Sequence, residues 1–233
     1  RYIHTPNIDR IGNEGVRFTN SFVANSISGP SRACMLTGKH SHANGFINNS
    51  TTFNGDQLTF PKLLQQNGYQ TAMIGKWHLV SDPQGFDHWE ILPGQGDYYN
   101  PTFIQMNGER VQVEGYATNI ITDKAIDWIE NQRDESKPFC MLLHHKAPHR
   151  TWMPDTCDLE LFADKTFPLP ENFYDNYEGR LAAQKQKMNI ANDMEIVYDL
   201  KMADKENEIH SGMYEKWGRG MYDGSRMTPE QKA

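Results

Sequence analysis

The chain has 233 residues, enough for one large domain or two small ones. Hydrophobic residues make up 37% and charged residues 23%, ordinary for a globular protein. The net charge of −7 argues against a nucleic-acid or anionic-membrane partner, which would demand a basic face. It leaves room for a local cationic pocket around a small anion. Cys34, Cys140 and Cys157 are odd in number and lack CxxC spacing, so they suggest neither a disulfide framework nor a zinc site. No apolar run approaches the ~20 residues of a membrane span.

Residues 1–6 contain no signal peptide and no Met, and read as a truncated or processed start. Thr5-Pro6 predicts an N-cap with proline at the first helical position, and Gly15 closes that helix. Residues 16–23 predict a short strand. The turn-rich stretch 25–30 then leads to a helix from about Ser31. Thr59-Phe60-Pro61 begins another short helix, which stops at Gly68. Residues 69–74 predict a strand, with Gly75-Lys76-Trp77-His78 at its C-terminal end. Asn107-Gly108, between 102–106 and 110–113, predicts a hairpin. Ile120, Ile121, Ala125, Trp128 and Ile129 fall at helical spacing. Residues 138–144 predict a buried strand, with His145 to His149 beyond its end. After Pro154 the chain turns polar and loop-rich, and two amphipathic helices are expected near 190–203 and 207–217. Alternating helices and strands imply an α/β layered fold. Polar motifs at the C-terminal ends of strands are where such sheets place a ligand crevice.

Three motifs carry chemistry. Ser28-Gly29-Pro30-Ser31-Arg32, followed by Thr37-Gly38, resembles the first signature of type I sulfatases, and residues 5–10 and 15–18 resemble that family's entry segment. Ser-x-Pro-Ser alone would mark a serine-rich helix cap; Arg32, Thr37 and Gly38 in register point to the signature. The resemblance implies that Ser28 is oxidised to formylglycine, a catalytic residue that also ligates a metal ion. A serine there resembles the anaerobic bacterial type, matured by a radical enzyme. A plain serine is a weak nucleophile, whereas an aldehyde hydrate offers two hydroxyls on one carbon. A helix N-terminus just after Ser28 would favour developing negative charge. Arg32, one turn on, would hydrogen-bond the hydrate.

Gly68-Tyr69-Gln70-Thr71-Ala72 and then Gly75-Lys76-Trp77-His78 resemble the second signature. There the lysine contacts hydrate and sulfate, and the histidine handles the second hydroxyl, which implies both roles for Lys76 and His78. In an extended segment the two would share a face. His145-Lys146-Ala147-Pro148-His149 resembles the segment whose Pro-His reaches the sulfate, so His149 is expected to bind sulfate and to protonate the leaving oxygen. His144 is expected to be a hydrogen-bonded buried histidine, and Trp152 either pocket wall or ordinary packing.

The resemblance implies an alkaline-phosphatase-like layered sheet with helices on both faces. It also implies one Ca²⁺, a sulfated sugar or glycan as substrate, a formylglycine-generating maturation enzyme as partner, and a periplasmic or secreted location in an anaerobic bacterium. The motifs lie within residues 5–154 of a single partial catalytic domain spanning 1–233. A hard dication takes 6–8 oxygen ligands with carboxylates prominent. The chain contains no Asp-Asp pair, and Asp175-Asn176 follows a proline-rich loop rather than a buried strand. The remaining calcium ligands are therefore expected outside this chain, and the fold is expected to be incomplete at both ends. Residues 85–89 and 92–101 resemble bacterial sulfatases acting on N-acetylglucosamine 6-sulfate. Their aromatic residues would suit sugar faces or pack a hairpin. The enzymatic rival is a phosphohydrolase of the same superfamily with an unmodified nucleophile and two transition metals. The non-enzymatic one is an inactive fragment lacking half the metal site.

Overall fold

A computed structural model describes residues 3–187, 193, 199 and 226–232. Helix α1 spans Pro6–Glu14 and α2 spans Ser28–Thr37. Two shorter helices follow, α3 at Ser41–Asn44 and α4 at Phe60–Gln66. The strands are β1 Gln70–Lys76, β2 His88–Leu92, β3 Thr102–Gln105, β4 Arg110–Gln112 and β5 Phe139–His144, with helix α5 at Ala117–Asp127 between β4 and β5. They form one mixed sheet in the order β4-β3-β2-β1-β5. β1 runs parallel to both β2 and β5, and β3 and β4 form the antiparallel hairpin that Asn107-Gly108 predicts.

Strand β1 lies between β2 and β5 and is buried along its length after Gln70. Side chains alternate across a sheet, and two clusters follow from that. On one face Met73, Trp89 and Ile91 pack with Ala33 and Leu36 of α2 and with Phe46, Phe53 and Leu79. On the other, Ala72, Ile74, Leu92 and Phe103 meet Ile121 and Ala125 of α5 and Trp128. Helices thus cover both faces, as expected of an α/β layered fold.

Two differences from the sequence expectations, and one choice they left open, bear on the site. Residues 16–23 are not a strand. Val16, Phe18, Phe22 and Val23 are exposed, and among the described residues no strand lies beside them to complete a hydrogen-bonded ladder. Helix α2 begins at Ser28 rather than Ser31, because a proline is tolerated within the first helical turn, where its missing N–H costs nothing. Finally, the aromatic residues of 85–101 are core. Phe86 and Trp89 are buried, and Tyr98 and Tyr99 pack against Tyr116. They offer no flat face to a sugar. The helices expected near 190–203 and 207–217 lie outside the described residues, apart from Asp193 and Asp199. Cys34, Cys140 and Cys157 are free thiols.

Candidate active site

The motif Thr37-Gly38 ends α2. Gly38 takes the left-handed conformation at φ 65°, and its N–H donates to Cys34 O, a glycine-terminated helix end. At the other end Gly29 lies in a tight niche. A Cβ there would sit 2.7 Å from Phe46 and 2.8 Å from Asn49 Oδ1. Gly29 N–H donates to Asn49 Oδ1 at 3.1 Å, and Ser31 N–H donates to Ile27 O at 2.9 Å. These first-turn donors are occupied by the protein itself, so the helix dipole reaches an anion through its field rather than through those N–H groups.

Ser28 is thereby held at the first turn of α2, half-buried, with its Oγ 3.0 Å from His78 Nδ1. His78 arrives there by a turn rather than by strand alternation. Its φ is 59° and that of Val80 is 72°. Left-handed backbone at non-glycine residues costs on the order of 1–3 kcal/mol and persists where the surroundings impose it. The extended geometry expected to put Lys76 and His78 on one face is therefore absent. A glutamine joins them instead. Lys76 Nζ donates to Gln95 Oε1, and Gln95 Nε2 lies 3.1 Å from His78 Nε2.

Arg32 Nη1 donates to Lys76 O at 2.7 Å and faces His144 Nδ1 at 2.9 Å. A guanidinium only donates, so His144 Nδ1 accepts, and its longer 3.3 Å approach to Lys76 O is a neighbouring contact. Arg32 thus ties the C-terminal ends of β1 and β5 together behind the site. His144 is the hydrogen-bonded, half-buried histidine its position predicts. Burial and Arg32 push its pKa down to about 4, so it is neutral at physiological pH. His145 Nδ1 is buried without a hydrogen-bond partner among the described residues.

Beyond β5, Tyr98 OH donates to His149 O at 2.6 Å, Tyr116 OH to Met153 O at 2.7 Å, and Tyr99 OH to Pro154 O at 2.6 Å. The three tyrosines buckle the 149–154 loop to the rest of the fold. His149 Nδ1 faces Arg150 O, a carbonyl that only accepts, so Nδ1 carries a proton and Nε2 is the atom available to a ligand. Trp152 is not packed in the core: it is 41% exposed, with its indole N–H on Pro148 O. Arg150 pairs with Asp199.

The site is cationic. Burial pushes Lys76 down to about 8, helped by Arg32 and Lys146. His78 falls to about 4 through burial, Lys76, Arg32 and His149. Lys146 is buried, reaches Gln95 O at 3.3 Å, stands over the Tyr98 ring, and is pushed to about 8 by burial. His149 is also lowered, chiefly by burial. Cations that depress one another are relieved by a bound anion. Among the described residues no group of three or more His, Cys, Asp and Glu is placed to hold a metal ion. Asp175 forms a turn with Tyr177 and pairs with Arg180 on the surface. This donor set fits an oxyanion and does not fit Ca²⁺ unaided.

Ser28, Arg32, Lys76 and His78 therefore converge, and His149 lies within electrostatic reach of Lys76 and His78. The sequence reading missed Gln95 and Lys146. Gln95 sits between Gly94 at φ 55° and Gly96 at φ 70°, and that Gly-x-Gly turn just after a strand was its visible signal.

A family model described as Sulfatase matches residues 1–223. The N-acetylglucosamine-6-O-sulfatase of Bacteroides thetaiotaomicron is 60% identical over 211 residues, covering 89% of this chain and 38% of that protein. The human N-acetylglucosamine-6-sulfatase is 27% identical over 70% of this chain and 34% of its own. The solved structure of BT4656 in complex with its substrate D-glucosamine-2-N,6-O-disulfate superposes with a TM-score of 0.87 at 55% identity, covering 99% of this chain and 46% of that one. The chain thus spans less than half the length of these relatives. With the Sulfatase model matched over nearly all of its residues and that degree of identity to a sulfatase relative, the chain belongs to the sulfatase family.

Proposed function

We propose that this chain carries the nucleophile and sulfate-binding part of a sulfatase that hydrolyses the 6-O-sulfate ester of N-acetylglucosamine in glycans. The observation that carries the reading is the 3.0 Å contact of Ser28 Oγ with His78 Nδ1, in a group of side chains whose cations Lys76, Arg32 and Lys146 lie close enough to depress the pKa of Lys76. The choice of sugar is supported by the 60% identical relative and by the disulfated glucosamine bound in the BT4656 structure.

Position 28 fits formylglycine. The side chain is short, held at a helix start, and its oxygen already meets a histidine. A hydrated aldehyde there supplies two hydroxyls on one carbon, one to attack sulfur and one whose deprotonation lets sulfate leave. The chain's own residues do the rest. Lys76 offers an ammonium to a sulfate oxygen, and its lowered pKa rises again once an anion is bound. His78 holds the oxygen at position 28. His149, with its Nδ1 proton fixed on Arg150 O, presents Nε2 to the sulfate and, once protonated beside that anion, to the leaving oxygen. Arg32 holds Lys76 and His144 in register. The described residues do not make a calcium site, and no step is assigned to a metal.

A serine at position 28 fits a radical-type maturation enzyme, and a glycan substrate fits a periplasmic or secreted location. The test is hydrolysis of N-acetylglucosamine 6-sulfate by a complete version of the enzyme co-produced with such a maturation enzyme, beside the 6-phosphate. Turnover of the sulfate alone supports the reading. Preferential turnover of the phosphate overturns it in favour of a phosphohydrolase.

A further inference from the structure

Asn100 is buried, has a left-handed backbone at φ 47°, and meets the segment 226–232 from far along the chain. Hydrogen-bond polarity fixes its carboxamide. Gly115 N–H donates to Oδ1 at 2.8 Å, so that atom is the oxygen and the other is the NH₂. Both protons of that NH₂ go to the segment, one to Gln231 Oε1 at 2.9 Å and one to Arg226 O. Gln231 Nε2 returns a hydrogen bond to Asn100 Oδ1 at 3.2 Å, which makes a reciprocal amide pair across 131 residues.

The sequence Thr228-Pro229-Glu230-Gln231 builds the segment's side of this pair. Pro229 opens a short helix, Pro229–Lys232, where a missing N–H is tolerated. Thr228 Oγ1 accepts Gln231 N–H at 3.3 Å, and Gln231 Oε1 accepts Thr228 N–H at 2.9 Å, a reciprocal cap that fixes the Gln231 side chain as it turns to Asn100. Arg226 adds a fork. Its Nη1 donates to Asn100 O at 3.1 Å and pairs with Asp97 at 2.9 Å, and its Nη2 donates to Thr102 Oγ1 at 3.0 Å. The ion pair is exposed on both sides and contributes little by itself. The amide pair weighs more, because a buried NH₂ deprived of both acceptors has lost its hydration without replacement.

We propose that the segment 226–232 is a strap latched on Asn100, with Gln231 and Arg226 as positioning residues for the active-site stretch 95–99. That stretch carries Gln95, which meets Lys76 and His78, and Tyr98 and Tyr99, whose hydroxyls hold His149 O and Pro154 O. Asn100 anchors its downstream end. Asn100 N–H donates to Gly115 O at 2.8 Å and Asn100 O accepts from Gln112 Nε2 at 3.1 Å, so the latch joins the strap to β4 and to the approach to α5. Among the described residues, the side chains of Gln231 and Arg226 bond to residues 97–102 and to their own segment, so they act on the site through that stretch. The purpose given to the strap rests on the proposed function; the latch itself does not.

Hydrogen exchange read by mass spectrometry tests the latch without any need for turnover. Gln231→Leu removes both halves of the amide pair. It is expected to speed exchange in peptides covering 95–102 and 149–154 while leaving 70–76 of β1 at the wild-type rate. Gln231→Glu keeps the oxygen that Asn100 and Thr228 reach, and those peptides are expected to exchange more slowly in it than in Gln231→Leu. Exchange at 95–102 unchanged by Gln231→Leu overturns the proposal. So does an equal acceleration in 70–76, which would make the segment a general stabiliser. In a complete version of the enzyme, Gln231→Leu and Arg226→Ala should lower kcat ~10-fold or more, toward the ~10²-fold loss that a displacement of about 1 Å causes, with KM nearly unchanged. An unchanged kcat overturns the positioning role. If the wild type turns over no sulfate ester, the proposed function fails, and the exchange pattern still decides the latch.

Discussion

Ser28 Oγ and His78 Nδ1 meet at 3.0 Å although fifty residues separate them. One is at the first turn of a helix and the other in a left-handed turn after β1. Neither conformation would put its side chain there without the other elements: the Gly29 niche seats the helix, and the turn at 77–80 throws the histidine across to it. The pair defines the position where an attacking oxygen is held. In a complete version of the proposed enzyme, Ser28→Ala should therefore remove sulfate-ester hydrolysis while leaving the thermal midpoint close to wild type, because the hydroxyl is half-buried and contributes one hydrogen bond of ~1 kcal/mol. Mass spectrometry of the peptide containing residue 28 should find active protein lighter by two hydrogens than the encoded serine. Full activity with serine intact would contradict the formylglycine reading.

Lys76 makes a prediction in which function and stability move in opposite directions. Its pKa is lowered from 10.5 to about 8, first by burial and then by Arg32 and Lys146. Between about pH 8 and pH 10.5 the unfolded chain binds the proton and the folded one does not, so in that window this lysine's contribution to stability rises with pH. The cost of burying the cation is fully present below pH 8 and relieved above it. Anion binding follows the charge and falls across the same range. Titration with inorganic sulfate should show affinity dropping above pH 8, and Lys76→Gln should flatten that limb. Affinity falling in step with unfolding would instead point to general denaturation.

Gly75 tests the seam behind the site. Its φ is 101°, and a Cβ would come 2.1 Å from His144 O on the neighbouring strand. Gly75→Ala must open the β1–β5 pairing or distort the turn, and should destabilise the fold by about 3 kcal/mol or more, combining backbone strain with overpacking. Chemical denaturation measures this. The same opening would separate Lys76 O from His144 and loosen the Arg32 tie, so anion affinity should fall even where the protein remains folded. A near-neutral Gly75→Ala would show that the strand ends tolerate movement.

Much of this was legible in the sequence because local chemistry wrote it there. Pro6 and Gly15 bound α1, Asn107-Gly108 turned the hairpin, and the apolar spacing from Ile120 to Ile129 laid α5 on the sheet. Residues 16–23 misled because strand propensity describes a pleated, half-buried surface, and here the apolar side chains have no such surface among the described residues. The site was legible where family signatures marked it, at Ser28, Lys76 and His78. Gln95 was not, because its two side-chain contacts form only after β2 brings the 93–96 turn beside the end of β1. The tyrosines were visible as aromatics, but their hydroxyls' task of fastening the 149–154 loop depends on contacts more than thirty residues away.

His149 and His78 should fail in different halves of the reaction. His78 touches the oxygen at position 28, whereas His149 sits on the loop beyond β5 with Nδ1 on Arg150 O, and the proposed function gives its Nε2 to the sulfate. Its pKa is lowered in the unliganded site by burial and by Lys76, Lys146 and Arg150, and a sulfate ester bound among those cations offsets their repulsion and lets the imidazole take up a proton. A proton for the departing sugar oxygen helps only the first half-reaction, so His149→Ala should slow formation of the sulfated intermediate. His78→Ala should slow its breakdown. General acid–base groups contribute ~10²–10⁴-fold, and each loss should fall in that range without being total. Tyr98→Phe is the control for position alone: it removes the 2.6 Å bond to His149 O but keeps the imidazole, so it should cost far less than His149→Ala in the same step. Single-turnover kinetics with rapid quench separates these outcomes. A His149→Ala variant that forms the intermediate at the wild-type rate and stalls in release would exchange the two assignments.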